Sequence, residues 1–494
     1  MGIRYKSTRG DSLITASEAI IRGIGENGGL YIPEVIPKID KPLHELKGLS
    51  YCQLCFYILK MYLTDYEDFE LKDCIEKAYT NKFDTEDIVP MKKCGDAFFL
   101  ELYHGPTLAF KDMALSILPH LLKTAAKKNK VDKEIVILTA TSGDTGKAAL
   151  QGFADVAGTK IIVFYPKNGT SEIQKRQMTT QKGKNTLVVG IEGNFDDAQS
   201  GVKKIFADTD YKNLLNSNNY ILSSANSINI GRLLPQIVYY FYGYLNMLKE
   251  NSIKENEKIN IVVPTGNFGN ILAAYYAGKM GLPVNKLICA SNENNVLFDF
   301  INTGIYDTER EFKITSSPSM DILISSNLER LIYYISGERE DIVSDLMGKL
   351  SRDGKYEISA DMKEALEDFH SGFADDKKTS DTIKKAYKDF NYVMDTHTAV
   401  AYSVYENYIK STGDAGATII ASTASPFKFT RSVCSSIGIE TEDLDDFQLV
   451  NKLSENTGIK IPDAINSLNK MEIIHKKICS KTEMKKCISE FLKV

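Results

Sequence analysis

A chain of 494 residues is too long for one ordinary domain and implies two to four packed units. Its 43% apolar and 25% charged residues are the balance of a water-soluble globular protein with material for sizeable cores. Lys and Arg (60) against Asp and Glu (65) leave a net charge of −5, which excludes the basic surface that a nucleic-acid partner needs.

Residues 1–90 have helical spacing and are expected to form an N-terminal module. Arg4, Lys6 and Arg9 are followed by no apolar stretch, so no secretory signal is expected. Gly23, Gly25 and Gly28 spell the dinucleotide fingerprint, but they follow a helix-like segment (Thr15 to Arg22) and open no helix, so they carry no nucleotide site. Cys52 and Cys55 form a C-x-x-C inside an apolar, helix-like run from Tyr51 to Tyr62 and read as core thiols. Eight cysteines in so long a chain suggest no disulfide framework, and without an H-E-x-x-H, scattered histidines give metal catalysis no support.

Short apolar runs then alternate with helix-like segments. Strands are expected at Phe98 to Leu102, Glu134 to Thr139, Lys160 to Tyr165, Thr186 to Ile191 and Tyr220 to Ser223, with helices at Gly146 to Val156 and Asp196 to Ala207. A strongly apolar helix is expected from Pro235 to Leu248, then an exposed linker from Glu250 to Lys258. Further strands are expected at Ile259 to Val263, Lys286 to Ala290, Tyr392 to Asp395 and Thr418 to Ser422. The alternation is the mark of parallel α/β units. The simplest account inserts a smaller α/β unit, 115–225, into a larger one, 91–114 with 226–435. A solvated helical insertion is expected at about 305–390, its charge alternation clearest over 340–390, and a helical tail at 436–494. No run reaches the roughly 18 apolar residues that span a bilayer. The best candidate, Ile261 to Gly278, is broken by Pro264, Asn267 and Asn270, so no membrane partner is expected and a reducing cytoplasm is the default.

Four runs carry chemistry. In Glu101-Leu-Tyr-His-Gly-Pro-Thr-Leu-Ala-Phe-Lys111-Asp112 a lysine follows an apolar triplet, where burial lowers the ammonium pKa and lets the amine condense with an aldehyde. In Leu138-Thr-Ala-Thr-Ser142-Gly143-Asp144-Thr145-Gly146 a strand meets a helix through small residues able to bind a carboxylate or phosphate, or simply to cap the helix. It is no Walker loop, since Thr141 and Ala148 stand where glycine and Ser/Thr are required. In Ile261-Val-Val-Pro-Thr-Gly266-Asn267-Phe268-Gly269-Asn270 a buried strand enters a glycine loop that opens a helix, a geometry suited to a dianionic phosphate. Ser422, Thr423 and Ser425 expose hydroxyls at a strand end.

Taken in order, these runs resemble threonine synthases, members of the fold-type II (tryptophan-synthase-like) pyridoxal-phosphate enzymes. The likeness extends through Tyr5-Lys-Ser-Thr-Arg9-Gly10, Gly28 to Pro33, Ser224 to Asn229 with Arg232, and Ser317 to Asn327, and covers roughly 1–435. It implies two open, mostly parallel sheets with flanking helices, an N-terminal helical module and a helical insertion. It implies pyridoxal 5'-phosphate as cofactor, attached to Lys111, with its phosphate held by Gly266, Asn267, Phe268, Gly269 and Asn270 and its ring nitrogen met by Thr423. Ser142, Asp144 and Thr145 fall where the family binds the substrate carboxylate, and Asn226, Ser227, Asn229 and Arg232 are candidates for its phosphate. The implied reaction converts O-phospho-L-homoserine and water to L-threonine and phosphate by γ-elimination and β-addition of water. Another fold-type II lyase, a threonine dehydratase or an amino-acid phospholyase, is the alternative. Oligomeric state stays open. Two departures stand out: Ser425 and Phe427 replace residues of the family's Ser-Thr-Ala-His-Pro-Ala-Lys-Phe, removing its histidine, and Thr396 replaces a proline before His397.

Overall fold

The computed structural model describes residues 2–494 apart from 142, 168 and 169, and the side chains of 195 and 196. In chain order the strands are β1 (Tyr5–Ser7), β2 (Tyr31–Pro33), β3 (Met91–Cys94), β4 (Ala97–Glu101), β5 (Glu134–Ala140), β6 (Thr159–Pro166), β7 (Thr186–Glu192), β8 (Tyr220–Ser223), β9 (Ile259–Pro264), β10 (Val284–Ser291), β11 (Ile305–Asp307), β12 (Lys355–Glu357), β13 (Phe369–Phe373), β14 (Thr418–Ser422) and β15 (Ile478–Ser480).

A six-stranded sheet runs β13-β10-β9-β14-β4-β3, parallel except for the β3 edge, and a five-stranded, fully parallel sheet runs β15-β7-β6-β5-β8. Helices cover the faces of a parallel sheet, so its strands are buried on both sides and read as continuous apolar runs. β9 and β14 are buried along their whole length for this reason. Parallel strands also end together. The loops after β4, β9 and β14, three adjacent strands, therefore gather at one edge of the large sheet, the place where open α/β sheets bind ligands.

The 20-residue helix Ile230–Lys249 is the central pillar, buried over most of its surface. It starts five residues before the expected Pro235, because the Asn229 side chain accepts the Gly231 N–H at 2.9 Å and caps the first turn.

Four expectations are corrected. Tyr392 to Asp395 forms no strand: the Asp395 carboxylate caps the helix Thr396–Thr412, and the edge of the large sheet is taken by β13, whose His370-Ser371-Gly372 diluted the apolar signal. The stretch 305–390 is not wholly helical, since it supplies β13 and the β11–β12 ribbon. Residues 1–90 are not helical throughout, as β1 and β2 pair in an antiparallel ribbon. They also share one core with the large sheet's helices, Tyr62 lying near-parallel to Tyr276 at 6.4 Å. Finally, the tail 436–494 is not wholly helical. It adds β15 to the edge of the small sheet, and its helix Met484–Leu492 packs Cys487, Ile488 and Leu492 into the core there. With Met484 these side chains are spaced i, i+3, i+4 and i+8, the helical period the sequence shows, whereas the three residues of β15 are too few to carry a strand period. Among the described residues no helix is long and apolar enough to cross a membrane.

Arg330, on the helix Leu328–Ile335, ties the N-terminal ribbon to the turn before the central helix. Fully buried, it donates Nε–H to Tyr31 O at 3.0 Å, Nη2–H to Ile228 O at 2.6 Å, and Nη1–H to Asn327 Oδ1. Arg330→Ala strands three acceptors and is expected to lower stability by on the order of 3 kcal/mol, read from the urea unfolding midpoint. Arg330→Lys should recover little, since one ammonium cannot reproduce the guanidinium fork.

Candidate active site

After β4 the chain turns at Gly105, where a Cβ would lie 2.6 Å from the Asp112 side chain. That closeness lets the Asp112 carboxylate accept the Thr107 N–H (2.8 Å) and hydroxyl (2.5 Å), folding the turn onto the start of the next helix. The intervening backbone is clipped to the end of β14: Phe110 N–H donates to Thr423 O at 2.8 Å and Ser425 N–H to Leu108 O at 3.1 Å. Lys111 is thereby pinned at the sheet edge, buried, with Nζ 3.1 Å from Ser319 Oγ and 3.5 Å from Asp144 Oδ2. Burial pulls its pKa down. Lys428 and Arg232 push the same way, and Asp144 opposes them without reversing the shift.

Asp144, the first residue of the helix Asp144–Phe153 that follows β5, brings the small sheet to this lysine. Its carboxylate meets Lys428 Nζ at 2.6 Å and accepts from Gln174 Nε2 at 2.8 Å. Burial alone would raise the acid's pKa, but Lys428 and Lys111 hold it well below the usual carboxylate range. The expected contact between Asp144 and a substrate carboxylate is not supported by this arrangement, because an anion lacking a donor cannot attract another. The Gly143 and Gly146 N–H groups are likewise taken, both by Thr141 Oγ1 at 2.9 Å. Thr145 is half-buried, and Ser142 lies outside the described residues.

The loop after β9 is built for an anion. Among the described residues, no backbone N–H from Gly266 through Ile271 has an acceptor within the protein, and Asn270–Ile271 open the helix Gly269–Met280. A Cβ at Gly266 would sit 2.6 Å from Ser319 O, so the residue lets this loop touch the 315–321 segment. Phe268 takes a left-handed φ of 61° to turn into the helix. Ser325 Oγ donates to Gly266 O (2.7 Å) and Asn327 Nδ2 to Asn267 O (2.9 Å), fixing the loop from outside. Asn270 accepts the Tyr239 hydroxyl at 2.6 Å and that of Tyr240 on Oδ1, while its buried Nδ2 has no partner. An orphaned buried donor at a helix start beside free amides fits a phosphate, and Ser319, touching both this loop and Lys111, places an amine at the same site. The residues present therefore fit a phosphorylated aldehyde cofactor.

The remaining candidates separate. Arg232 is buried with Nη1 on Ala225 O (2.8 Å), its Nε unpartnered and its pKa drawn down by burial to about 10. Ser227 borders the glycine loop, its Cβ 3.7 Å from where a Cβ of Gly269 would lie, and Asn226 is half-buried in the same turn. Asn229 is corrected: it is fully buried and serves structure, its Oδ1 accepting Gly231 N–H at the helix start and its Nδ2 donating to Ile20 O. Thr423 is buried at the end of β14 beside Phe110. Ser425 replaces the family's histidine by capping a short 3₁₀ turn, accepting Phe427 N–H at 3.4 Å. The sequence assigned no role to Lys428, Ser319 or Gln174, although Lys428 stands in the strand-end run after Ser422 and Ser319 in the stretch Ser317 to Asn327. Lys428 also left a signal of its own, a charge between two phenylalanines.

Residues 4–79 match the family described as threonine synthase N terminus, and 88–423 that described as pyridoxal-phosphate dependent enzyme. Threonine synthase of Saccharomyces cerevisiae is 37% identical over 465 residues, 88% of this chain and 89% of that protein. Human threonine synthase-like 1 is 38% identical over 437 residues, 86% of this chain but 58% of that longer protein. The crystal structure of PLP-bound threonine synthase from Brucella melitensis superposes with a TM-score of 0.88 at 31% identity, covering 100% of this chain and 99% of that one.

One flanking group supplies a pH test. His104, in the turn leading to Lys111, lies 2.7 Å from Asp84 Oδ1 and 3.0 Å from Glu101 Oε2. Burial pulls its pKa down, yet the two carboxylates lift it to about 9. A folded-state pKa above the unfolded value stabilises the fold fully below about pH 6.5, and that contribution is lost as pH rises through about 9. With Asp84 half-exposed the contribution is about 1–2 kcal/mol after screening. Urea titrations of His104→Gln should lose that slope between the two pH values.

Proposed function

The chain belongs to the threonine synthase family of pyridoxal-phosphate enzymes, and from that premise we propose that it converts O-phospho-L-homoserine and water to L-threonine and phosphate, with Lys111 moving the protons. The observation that carries the residue assignment is a buried amine of lowered proton affinity, facing unpaired amides through a shared contact with Ser319.

Bound in this cleft, pyridoxal phosphate supplies an electron sink for the charge that develops on substrate carbons. The 266–271 amides and Asn270 Nδ2 would hold its phosphate, Lys111 would anchor its aldehyde, and Thr423 would offer a hydroxyl to its ring nitrogen. A hydroxyl there does not enforce a protonated ring, which suits elimination and replacement rather than amino transfer. Lys111, its proton affinity lowered by burial with Lys428 and Arg232 pushing the same way, takes the proton from substrate Cα and returns one to it at the end. The same amine takes a proton from Cβ, phosphate departs from Cγ with the bonding electrons, Cγ gains a proton to become the methyl group, and water adds its oxygen to Cβ while its second proton goes to the phosphate, so the atoms of phosphohomoserine plus water equal those of threonine plus phosphate. Arg232, a buried cation without a carboxylate partner among the described residues, binds the departing phosphate, with Asn226 and Ser227 at the rim. The Thr145 hydroxyl and the 144–145 amides, which have no partner among the described residues, would meet the substrate carboxylate. All eight cysteines are free, which fits a reducing compartment such as the cytoplasm.

Lys111→Ala is expected to lose the visible absorption of lysine-bound cofactor and to lower turnover by about a thousandfold or more. An unchanged spectrum would sink the assignment. Phosphate release from phosphohomoserine, with no ammonia release from threonine, separates this reaction from a dehydratase. Arg232→Leu should raise KM for phosphohomoserine at least about tenfold, equivalent to the roughly 1.4 kcal/mol or more of a charge-assisted hydrogen bond.

A further inference from the structure

Segment 315–321 crosses the cleft between Lys111 and the glycine loop, and it is fastened from several sides. Asp321 gathers Thr315 Oγ1 (2.8 Å), Asn292 Nδ2 (2.7 Å) and Asn294 Nδ2 (3.0 Å). Thr396 Oγ1 donates to Ser316 O at 2.8 Å, a bond that the family's proline could not make. Ser319 is held between two walls: its carbonyl lies against Gly266, and its N–H donates to His397 Nε2 at 3.1 Å.

That last bond dictates the state of the imidazole. Asp395, fully buried, lies 2.7 Å from His397 Nδ1 and also accepts the His397 backbone N–H at 2.9 Å. With the ring proton on Nδ1, the Nε2 lone pair is free to accept from Ser319, which an imidazolium could not do. The chain Asp395–His397–Ser319 therefore fixes where the serine hydroxyl stands. Ser319 Oγ accepts from Lys111 Nζ at 3.1 Å and donates to Asp144 Oδ2 at 3.3 Å.

Resting on the assignment of Lys111, we propose that Ser319 is a catalytic hydroxyl that aims the free Lys111 amine, and that His397 is the positioning residue that sets it. An amine on a four-carbon stem rotates freely and must serve more than one substrate carbon. Accepting one N–H locks that rotation and turns the lone pair away from Asp144 and Lys428. No proton passes between the two groups. When Lys111 carries a proton, Ser319 and Asp144 both accept from it, while Lys428 and Arg232 oppose the charge.

The holoenzyme tests this. Ser319→Ala should keep the cofactor's visible absorption and hold KM within about threefold, while kcat falls about tenfold or more. Losing an acceptor destabilises the protonated amine, so the ascending limb of kcat against pH, where Lys111 is free, should move to lower pH. His397→Asn keeps the bond to Asp395 and drops the acceptor toward Ser319, so it should follow Ser319→Ala. His397→Gln, whose amide oxygen reaches toward the Nε2 position, should recover part of kcat and of the limb. A Ser319→Ala enzyme with kcat within twofold and an unmoved limb would overturn the proposal, as would loss of the cofactor band or indistinguishable Asn and Gln variants. Lys111→Ala reports separately, since a retained band there sinks the lysine assignment itself.

Discussion

A carboxylate shared between two buried lysine side chains joins the two sheets of this protein. Asp144 comes from the end of the small sheet, Lys111 and Lys428 from loops at the edge of the large one. Each charge alone would be costly at this depth. Together they offset much of the desolvation, and removing the central anion would leave two like charges facing each other in a low-dielectric cleft. The geometry of the cleft follows from this triplet. It holds Lys111 against Ser319 and Gln174 against Asp144, and the burial it closes, with Lys428 and Arg232 acting the same way, keeps the amine's proton affinity low.

The fold supplies the rest by convergence of strand ends. Adjacent parallel strands deliver their loops to one edge, so residues 105–111, 265–271 and 423–429 meet without any long excursion of the chain. Two features make the meeting close. Gly266 removes a side chain that would strike Ser319, and the Phe110–Thr423 and Leu108–Ser425 backbone bonds sew the lysine turn to the end of β14. Apart from Asn270 Nδ2 the anion cradle is then backbone, so its donors do not depend on which side chains surround it.

The departures from the family pattern acquire physical meaning here. Ser425 gives up the imidazole of its relatives but caps the turn that presents Lys428. Thr396 gives up a rigid ring and gains a hydrogen bond to the 315–321 segment. Both adjust the supports of the site and leave the cluster around Lys111 in place.

What the sequence alone determined was local. Apolar runs bounded by turn residues marked β5, β9 and β14, and strand–glycine–helix order marked the cradle at 266–270, because burial on both faces and missing helix-end partners leave their trace within a few residues. Tertiary structure decided the pairings. Nothing in the spelling of Phe-Lys-Phe shows that Lys428 meets Asp144, or that Ser319, about two hundred residues from Lys111, lies within hydrogen-bonding distance of its amine. The same holds for Asn229, spent on a helix cap, and for β15, whose short run of residues becomes a strand through the edge of β7. An ion pair or an edge pairing is a property of two distant segments at once, and single-segment periodicity carries no record of the partner.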